Sequence, residues 1–599
     1  AYAVNENSVS AIMLHDLKSG ESTPLGNTTG IKGRGIEFAG ADHLIIHASR
    51  TLSQFGYRGR FEYSGAISID LKSGKTIQLV ANKTDDLHPA QSGIGRIVGK
   101  KRDDPYVWMP AYIGTTDRAT FSLLRVNLNS GRGRRKHRGN SKTIDWVVSP
   151  DGIVYMREDF DNKKNVHSVH TNVNGEWTKI YEEQTEQPSI SILGVNQSKD
   201  ALIFSGASSE TDFHDLYEMS LEDGSISGPI ISRDDASIDA VLTDINRVVH
   251  GVRFSGLWPR YEFFDAELTA DIRSIQQQFG ASAVYMDSWS DDWSKILLRV
   301  EGGELSGLYL YFDRISREAQ AVASSRPQIK SEDVADSFPI EYTTRDGMRI
   351  NAIVTWPPNI VEEKRKNLPI VMLPHGGPEA YDSIGFDWMA QYFASEGYMV
   401  MQPNFRGSSG FGREHLRAGR GEWGRAMQDD VTDGLQVAIN MGWADPSRAC
   451  IVGWSYGGYS ALAGGAFTPD LYKCVIAGSG VSDLPEMLKT ERFYHGSDHW
   501  VYSYWKDLIG DPRFEKDHLK NISPRYHADK FQAPVLLIHG KDDLVVKINQ
   551  SRRMEDALED AGKEVEFVQL KGEDHWLSSS ETRLAALEAM GDFLREHLN

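Results

Sequence analysis

A short turn motif recurs along the first half of the chain and constrains its fold more than any other sequence feature. Each copy has an apolar strand, an Asp or Asn, and a turn that ends in Gly. The clear copies are HDLKSG, IDLKSG, VNLNSG, TNVNGE and SLEDGS at residues 15–20, 69–74, 126–131, 171–176 and 220–225, and weaker ones are FDAELT at 264–269 and FDRISR at 312–317. The steps of roughly 45 to 57 residues are typical of β-propeller blades with four strands each.

Seven such turns predict a seven-bladed, all-β propeller over residues 1–326. SPDG at 149–152 and SDDWSK at 290–295 fit the same scheme as further hairpin turns. A β-sandwich remains an alternative, because its hairpins produce similar turns, although at shorter intervals.

The pattern changes after a polar stretch at 324–336. Apolar runs that predict strands now alternate with amphipathic segments that predict helices. The strands are expected at 370–373, 398–402, 450–454, 474–477, 535–539 and 565–570, and the helices at 386–395, 427–440, 550–561 and 581–594. Strands that alternate with helices of this length indicate a mainly parallel sheet covered on both faces, so we expect an α/β domain over residues 327–599.

Bulk composition excludes several classes of protein. A chain of 599 residues needs two or more domains. Its net charge of −19 argues against nucleic acid or an anionic membrane as a partner, and no apolar run is long enough to cross a bilayer. The one basic run, Arg132 to Arg138, is expected to be a solvated loop. Cys450 and Cys474 lie in apolar runs, which favours buried free thiols.

The chain begins at Ala1 rather than at a methionine, so we expect that an upstream segment was removed. If that segment was a signal peptide, the protein is periplasmic or secreted, and otherwise it is cytoplasmic. The sequence does not choose between these, and it leaves a homo-oligomer open.

A candidate nucleophile lies in the segment ACIVGWSYGGYSALAGG at 449–465. Four apolar residues lead into Gly-Trp-Ser-Tyr-Gly, and small residues that suit a closely packed helix follow. A G-x-S-x-G turn between a buried strand and a helix is the nucleophile elbow, which exposes a serine hydroxyl at the carboxyl end of a sheet. We therefore expect Ser455 to be the nucleophile.

A serine needs a base, and the base needs a carboxylate to orient it. In this kind of fold the acid and then the histidine follow the serine, each in a loop after a later strand. The segment PVLLIHGKDD ends at Asp542 and Asp543, and VEFVQLKGEDHW carries His575. Spacing alone does not choose between the two aspartates.

The oxyanion of the tetrahedral intermediate needs backbone N–H donors. One is expected at Tyr456, directly after the nucleophile. The second is expected in HGGP at 375–378, where two glycines let the main chain approach a substrate.

Together, HGGP, NFRGSSGFG, GWSYGGY, HGKDD and GEDHW resemble the motifs of the prolyl oligopeptidase family of serine peptidases. The motifs cover about 369–576 in the family's order. The resemblance implies a propeller on an α/β-hydrolase domain, with Ser455 as nucleophile, His575 as base and Asp543 as the orienting acid. It also implies oxyanion donors at Gly377 and Tyr456.

Departures from the family's motifs favour one branch of it. Dipeptidyl peptidases of the family carry tyrosine where His375 stands and asparagine where Val545 stands, and we assign no counterpart of their paired-glutamate motif in the propeller half. The chain is more similar to the acylaminoacyl-peptidase branch, which has relatives that open lasso-peptide isopeptide bonds. By the same alignment, Leu484, Met487 and Val546 are expected to line an apolar pocket on the acyl side.

We therefore expect a serine peptidase that cleaves short peptides, admitted by size past the propeller. A dipeptidyl peptidase or a lasso-peptide isopeptidase on the same scaffold is an alternative, and a carboxylesterase or an inactive binding protein represents another class. No cofactor or metal is expected, because HGSDHW spaces His495 and His499 by four but lacks the glutamate of a zinc helix. Gly419 to Gly424 fits G-x-G-x-x-G but opens no βαβ unit, so no nucleotide site is expected.

Overall fold

The computed structural model describes residues 2–598 apart from 7–8, 54–58, 81–83, 85, 90 and 116–117. Antiparallel sheets form most of the described chain as far as Ser324. Within the described residues they are seven, five with four strands and two with three. Their strands are β1 (Tyr2–Glu6), β2 (Val9–His15), β3 (Ser22–Asn27); β4 (Lys32–Phe38), β5 (His43–Ser53), β6 (Arg60–Asp70), β7 (Thr76–Gln78); β8 (Gly99–Lys100), β9 (Tyr106–Ile113), β10 (Thr120–Asn127), β11 (Gly133–His137); β12 (Thr143–Val148), β13 (Val154–Asp161), β14 (Val166–Thr171), β15 (Thr178–Gln184); β16 (Ile190–Val195), β17 (Ala201–Ala207), β18 (His214–Ser220), β19 (Ile226–Ile231); β20 (Ile238–Thr243), β21 (Val249–Phe254), β22 (Arg260–Phe263); and β23 (Ala283–Trp289), β24 (Lys295–Gly302), β25 (Leu305–Asp313), β26 (Glu318–Ser324).

Each sheet pairs strands that are consecutive in sequence, and the apolar cores lie between successive sheets. One buried cluster joins Ile45 of β5 to Val107 of β9, and another joins Val147 of β12 to Leu202 of β17. A sheet that buries its faces mainly against the next sheet along the chain is a propeller blade. The predicted β-propeller is therefore confirmed.

The turn motif is confirmed at its five clear copies, since Gly20, Gly74, Gly131, Gly175 and Gly224 all adopt a positive φ. Such a backbone is the left-handed conformation that glycine takes without steric cost. The two further hairpins also form as predicted, between β12 and β13 and between β23 and β24.

Two expectations for this half were wrong. FDAELT does not form a turn but begins helix α1 (Ala266–Gln278), where Asp265 accepts hydrogen bonds from the N–H groups of Glu267 and Leu268. An Asp that caps a helix resembles an Asp in a turn when only sequence is read. The basic run is not a loop, because it contains β11 at the edge of its sheet, although Arg134, Arg135 and Lys136 are exposed as expected.

An eight-stranded sheet with helices on both faces follows. Its strands are β27 (Ser337–Thr343), β28 (Arg349–Thr355), β29 (Leu368–Met372), β30 (Met399–Asn404), β31 (Ala444–Trp454), β32 (Cys474–Gly478), β33 (Val535–Gly540) and β34 (Val565–Leu570). The α-helices are α2 (Trp388–Ser395), α3 (Arg413–Arg417), α4 (Ala426–Asn440), α5 (Tyr456–Phe467), α6 (Leu484–His495), α7 (Trp500–Ile509), α8 (Lys516–Asn521), α9 (Asn549–Asp560) and α10 (Ser580–Leu598), and short 3₁₀ segments lie at Ser331–Asp333, Glu362–Lys364 and Pro524–Lys530.

The sheet has the order β27-β28-β30-β29-β31-β32-β33-β34. The last six strands in this order, which include β29, are parallel to one another. One buried cluster covers each face of the sheet. All six strands and four helices expected from the sequence form with small shifts at their ends, which confirms the α/β domain. The sequence analysis missed the antiparallel pair β27 and β28.

The two cysteines correct another expectation. Cys450 and Cys474 are both buried, as predicted, but they are joined in a disulfide rather than free. They are direct partners in the register of the neighbouring strands β31 and β32. Their separation of 24 residues in sequence does not reveal this neighbourhood.

A buried histidine in the propeller provides a pH-dependent test of the fold. His167 on β14 is fully buried, with Nε2 2.8 Å from Glu158 and Nδ1 3.0 Å from Glu183. Burial opposes protonation, but the hydrogen bonds to the two carboxylates outweigh it and raise the pKa of His167 above its usual value. A raised pKa contributes stability that is complete at pH below about 6.5 and is lost as the pH rises through the folded pKa.

We therefore predict that His167→Gln lowers the free energy of unfolding by about 3 kcal/mol near pH 6, because it leaves the buried Glu158 and the half-buried Glu183 without their cation. The difference from the wild type should shrink by pH 9, as measured by denaturant unfolding at both values. His137→Gln is the control, since His137 contacts the carbonyl of Gly152 and its pKa is lowered by burial. A His167→Gln penalty of equal size at both pH values would contradict the prediction.

Candidate active site

Ser455 lies between the end of β31 and the start of α5. It is half-buried and has a φ of 61°, which is a strained conformation for a residue with a side chain. The chain therefore reverses within one residue, and this turn places the hydroxyl at the carboxyl edge of the sheet, as a nucleophile elbow does.

The glycines on either side are needed because backbones meet closely at this turn. A β-carbon added to Gly453 would lie 2.2 Å from the carbonyl of Gly457. A β-carbon added to Gly457 would lie 2.1 Å from the carbonyl oxygen of Pro374. A larger residue at Gly453 would distort the serine turn itself, and one at Gly457 would push this turn away from the loop that follows β29.

His575 and Asp543 form a buried hydrogen-bonded pair. The Nδ1–H of His575 donates to Oδ2 of Asp543 over 2.7 Å, and both residues are only 4% exposed. A proton on Nδ1 leaves Nε2 of the neutral ring free to accept one. The structure thus gives His575 the tautomer that a general base requires.

Asp543 is held as a carboxylate by four neighbours. Its Oδ1 accepts hydrogen bonds of 2.9 Å from the N–H groups of Val545 and Val546, and Nε2 of His539 lies 3.4 Å from Oδ2. Burial raises its pKa, but the hydrogen bonds to His539 and His575 outweigh burial, so the pKa lies well below the usual range. His539 is a supporting residue that the sequence analysis missed, although it belongs to the quoted HGKDD motif.

The neighbouring aspartate has a different partner. Asp542 forms an ion pair with Arg60, a residue of the propeller strand β6. Of the two aspartates that spacing could not separate, Asp543 is therefore the one in contact with His575.

Further contacts bring the serine, acid and histidine loops together. The indole N–H of Trp454, next to Ser455, donates to the carbonyl of His575 over 2.8 Å. A β-carbon added to Gly540 would lie 2.5 Å from the carbonyl oxygen of Glu573, so the ends of β33 and the histidine loop also touch. All three loops meet at the carboxyl edge of the parallel strands, where α/β sheets bind ligands.

The HGGP loop lies beside the serine. A β-carbon added to Gly376 would lie 3.4 Å from Cβ of Ser455. Gly377 is exposed and has a φ of 128°, a conformation that favours glycine. Tyr456 is the first residue of α5, so its N–H lies among those that have no carbonyl partner within their own helix.

His375 supports this loop from below. Its ring stacks on Phe405 with 4.4 Å between centroids, its Nδ1 lies 2.8 Å from the carbonyl of Gly376, and its Nε2 lies 2.9 Å from the hydroxyl of Ser408. Burial lowers the pKa of His375 to about 4, so the ring is neutral near pH 7. A neutral ring here adds no charge to the site.

The three residues expected in the acyl-side pocket differ in exposure. Leu484 is fully buried, and Met487 and Val546 are half-buried against the same core cluster. Leu484 therefore exposes no surface to solvent in this structure. Exposed apolar side chains of this domain include Phe493 at 81%, Tyr494 at 54%, Val545 at 53% and Trp576 at 67%.

Other motifs lie outside the triad. The rings of His495 and His499 are 5.1 Å apart, but His495 pairs with Glu491 and His499 accepts from the N–H of Val501. Among the described residues no group of three metal-ligating side chains occurs, and no helix is both long and apolar enough to span a membrane. The G-x-G-x-x-G stretch lies between α3 and α4, with no strand leading into it.

Comparison with known proteins finds relatives for this chain. Residues 384–599 match the prolyl oligopeptidase family. Dipeptidyl aminopeptidase BIII of Pseudoxanthomonas mexicana is 26% identical over 541 residues, which cover 89% of this chain and 76% of that protein. Dipeptidyl peptidase family member 6 of Caenorhabditis elegans is 30% identical over 353 residues, which cover 55% of this chain and 47% of that protein.

Solved structures share the whole architecture. A puromycin-hydrolyzing peptidase of Mycobacterium tuberculosis superposes with a TM-score of 0.72 at 18% identity. The superposition includes 100% of this chain and 94% of that peptidase. The acylaminoacyl peptidase of Pyrococcus horikoshii superposes with a TM-score of 0.70 at 16% identity, and the superposition includes 98% of this chain and 92% of that peptidase. At this identity the likeness concerns the fold. Residues 384–599 are therefore a peptidase domain of the prolyl oligopeptidase family, joined in this chain to a β-propeller.

Proposed function

We propose that Ser455, His575 and Asp543 are the catalytic triad of a peptidase for short peptides. The observation that carries this proposal is the buried pair of His575 and Asp543, in which Nδ1 faces the carboxylate and Nε2 is left to face a substrate, in a loop bonded to the residue before Ser455. A carboxylate, an imidazole and a hydroxyl in this order are what acyl transfer to serine requires.

The reaction begins when Nε2 of His575 takes the hydroxyl proton as Ser455 Oγ attacks the peptide carbonyl. The carbonyl oxygen becomes an oxyanion, which accepts hydrogen bonds from the N–H groups of Gly377 and Tyr456. His575 then gives its proton to the leaving amine as the peptide bond breaks. Water, deprotonated by the same imidazole, hydrolyses the acyl-enzyme and restores the serine.

The propeller is proposed to limit the size of the substrate. We divide the chain into a propeller at 1–326 and a peptidase domain at 327–599, and we propose that the seven sheets are seven blades. Propeller residues reach the acid and histidine loops directly, as Arg60 does at Asp542. On this proposal the propeller excludes folded proteins from Ser455 and admits short peptides.

We favour the activity of an acylaminoacyl-type exopeptidase, whose substrates are short peptides with a blocked amino terminus. His375 occupies the position where the dipeptidyl branch has a tyrosine hydroxyl, and its ring is turned to Ser408 and Phe405, away from an oxyanion role. Dipeptidyl cleavage is the second candidate, because the relative that matches 89% of the chain is a dipeptidyl aminopeptidase. Met487 and Val546 are proposed to border the acyl-side pocket above the buried Leu484.

A panel of chromogenic substrates tests this proposal. We predict that acyl-aminoacyl substrates are cleaved with the highest kcat/KM, at least about tenfold above free dipeptidyl substrates, since His375 stands where the dipeptidyl branch has its tyrosine. The panel should include aminoacyl, internal-proline, isopeptide and simple ester substrates. A preference for free dipeptides would support the second candidate, and turnover of esters alone would contradict peptidase function.

Substitution of the triad provides a second prediction. Ser455→Ala and Asp543→Asn should each lower kcat by about 10⁴-fold or more, because the first removes the nucleophile and the second loses the acceptor that fixes the tautomer. Ser395→Ala on the surface of α2 is the matched control and should keep normal activity. Steady-state kinetics on the best substrate, with unfolding midpoints to verify folding, decide the matter. Full activity of Ser455→Ala would refute the triad.

A further inference from the structure

Two acidic residues stand directly before the two loop members of the proposed triad. Asp542 precedes Asp543, and Asp574 precedes His575. Both Asp542 and Asp574 are only 5% exposed, although neither takes part in the proton transfers described above. A buried carboxylate is costly unless a cation or hydrogen-bond donors compensate it.

The compensating cations come from the propeller. Arg60 forms the ion pair with Asp542, while Nζ of Lys32 and Nη2 of Arg34 each lie 2.8 Å from Oδ2 of Asp574. We call Lys32, Arg34 and Arg60 the cation cluster. Burial raises the pKa of Asp574, but the hydrogen bonds from Lys32 and Arg34 outweigh burial and place it well below the usual range.

The cation cluster is itself held in place within one sheet. Lys32 and Arg34 lie on β4 and Arg60 on β6. Glu62 accepts from Lys32 at 3.2 Å and from Arg34 at 3.1 Å, and Arg60 donates to the carbonyl of Thr51 at 3.0 Å. The cations are therefore bonded to neighbours within the propeller, although the side chains of Arg60 and Arg34 are 48% and 32% exposed.

Asp574 transmits this contact to His575. While Oδ2 faces the cations, Oδ1 accepts from the N–H of Trp576 at 3.0 Å, and both oxygens lie 2.9 Å from the hydroxyl of Ser578. The carboxylate thus binds the backbone on the far side of His575, and the turn that carries the imidazole is tied to Arg34 and Lys32.

Asp542 couples the acid loop to the same unit. Its N–H donates to the carbonyl of Glu573 over 2.9 Å, so the acid loop and the histidine loop share a backbone hydrogen bond. The loops of Asp543 and His575 are therefore linked twice. One link is the hydrogen bond between these two side chains, and the other is the backbone hydrogen bond from Asp542, which Arg60 holds, to Glu573.

We propose that the cation cluster positions the triad: Arg60 through Asp542, and Arg34 with Lys32 through Asp574, hold the acid and histidine loops at their catalytic separation. The inference rests on the proposed triad. It makes the propeller a part of the catalytic apparatus as well as a cover. A displacement of about 1 Å in a catalytic group can reduce a rate about 100-fold, so the loss of one cation should be measurable.

The test compares Arg60→Gln and Arg34→Gln with Arg60→Lys and with a matched control. Arg413→Gln is the control, because Arg413 also joins the two domains, through the carbonyls of Ser208 and Thr211, but touches neither loop. The substrate is 4-nitrophenyl acetate, a small ester that the cover does not restrict and that reports on the triad whichever peptide is preferred.

We expect Arg60→Gln and Arg34→Gln to lower kcat at least about tenfold with KM changed less than about twofold, and Arg60→Lys and Arg413→Gln to keep kcat within about twofold. The double variant Arg60→Gln with Asp542→Asn should lose no more than the worse single variant, since both act through one contact. Unfolding midpoints identify any variant that fails to fold. If a glutamine variant fails to fold, the kcat values of Arg60→Lys and of the double variant test the proposal in its place.

The inference is overturned if the folded glutamine variants keep kcat within about twofold, or if Arg413→Gln loses as much as they do. Failure of the triad itself would look different, because Ser455→Ala would then retain esterase activity. Loss of activity in Ser455→Ala combined with full activity in both glutamine variants rejects only the role of the cation cluster.

Discussion

The hydrogen bond from His575 to Asp543 is the interaction on which the proposed function of this protein depends. It is buried, it fixes the proton on Nδ1, and it leaves the other ring nitrogen as a base. Asp543 can serve this bond because two backbone N–H groups and His539 keep it ionised in a site that would otherwise neutralise it. Serine chemistry at neutral pH requires such a poised imidazole.

The parallel sheet explains how residues far apart in sequence reach one place. Strands β31, β33 and β34 run in the same direction, so the loops at their carboxyl ends lie along one edge. Glycines at 453, 457 and 540 let those loops approach until backbone meets backbone. The fold thus brings the proposed triad together through strand direction and close packing, and we propose that its three side chains supply the chemistry.

The parts of this structure that could be predicted were those coded locally. Each propeller turn has its own Asp or Asn and Gly, and the serine turn is bounded by its own strand and helix. The choice between Asp542 and Asp543 could not be made from spacing, because adjacent residues in a loop point to different partners, and one of those partners is Arg60, 482 residues away. The burial of Leu484 and the pairing of Cys450 with Cys474 likewise depend on which strands and helices become neighbours, which no local pattern states.

A crystal structure of the protein after reaction with a phosphonofluoridate would test the central claim most directly. The account predicts a covalent bond to Ser455 Oγ, a phosphoryl oxygen within about 3 Å of the backbone nitrogens of Gly377 and Tyr456, and Nε2 of His575 at hydrogen-bond distance from the adduct. An adduct on another residue, or an imidazole of His575 turned away from Ser455 and out of contact with Asp543, would contradict it.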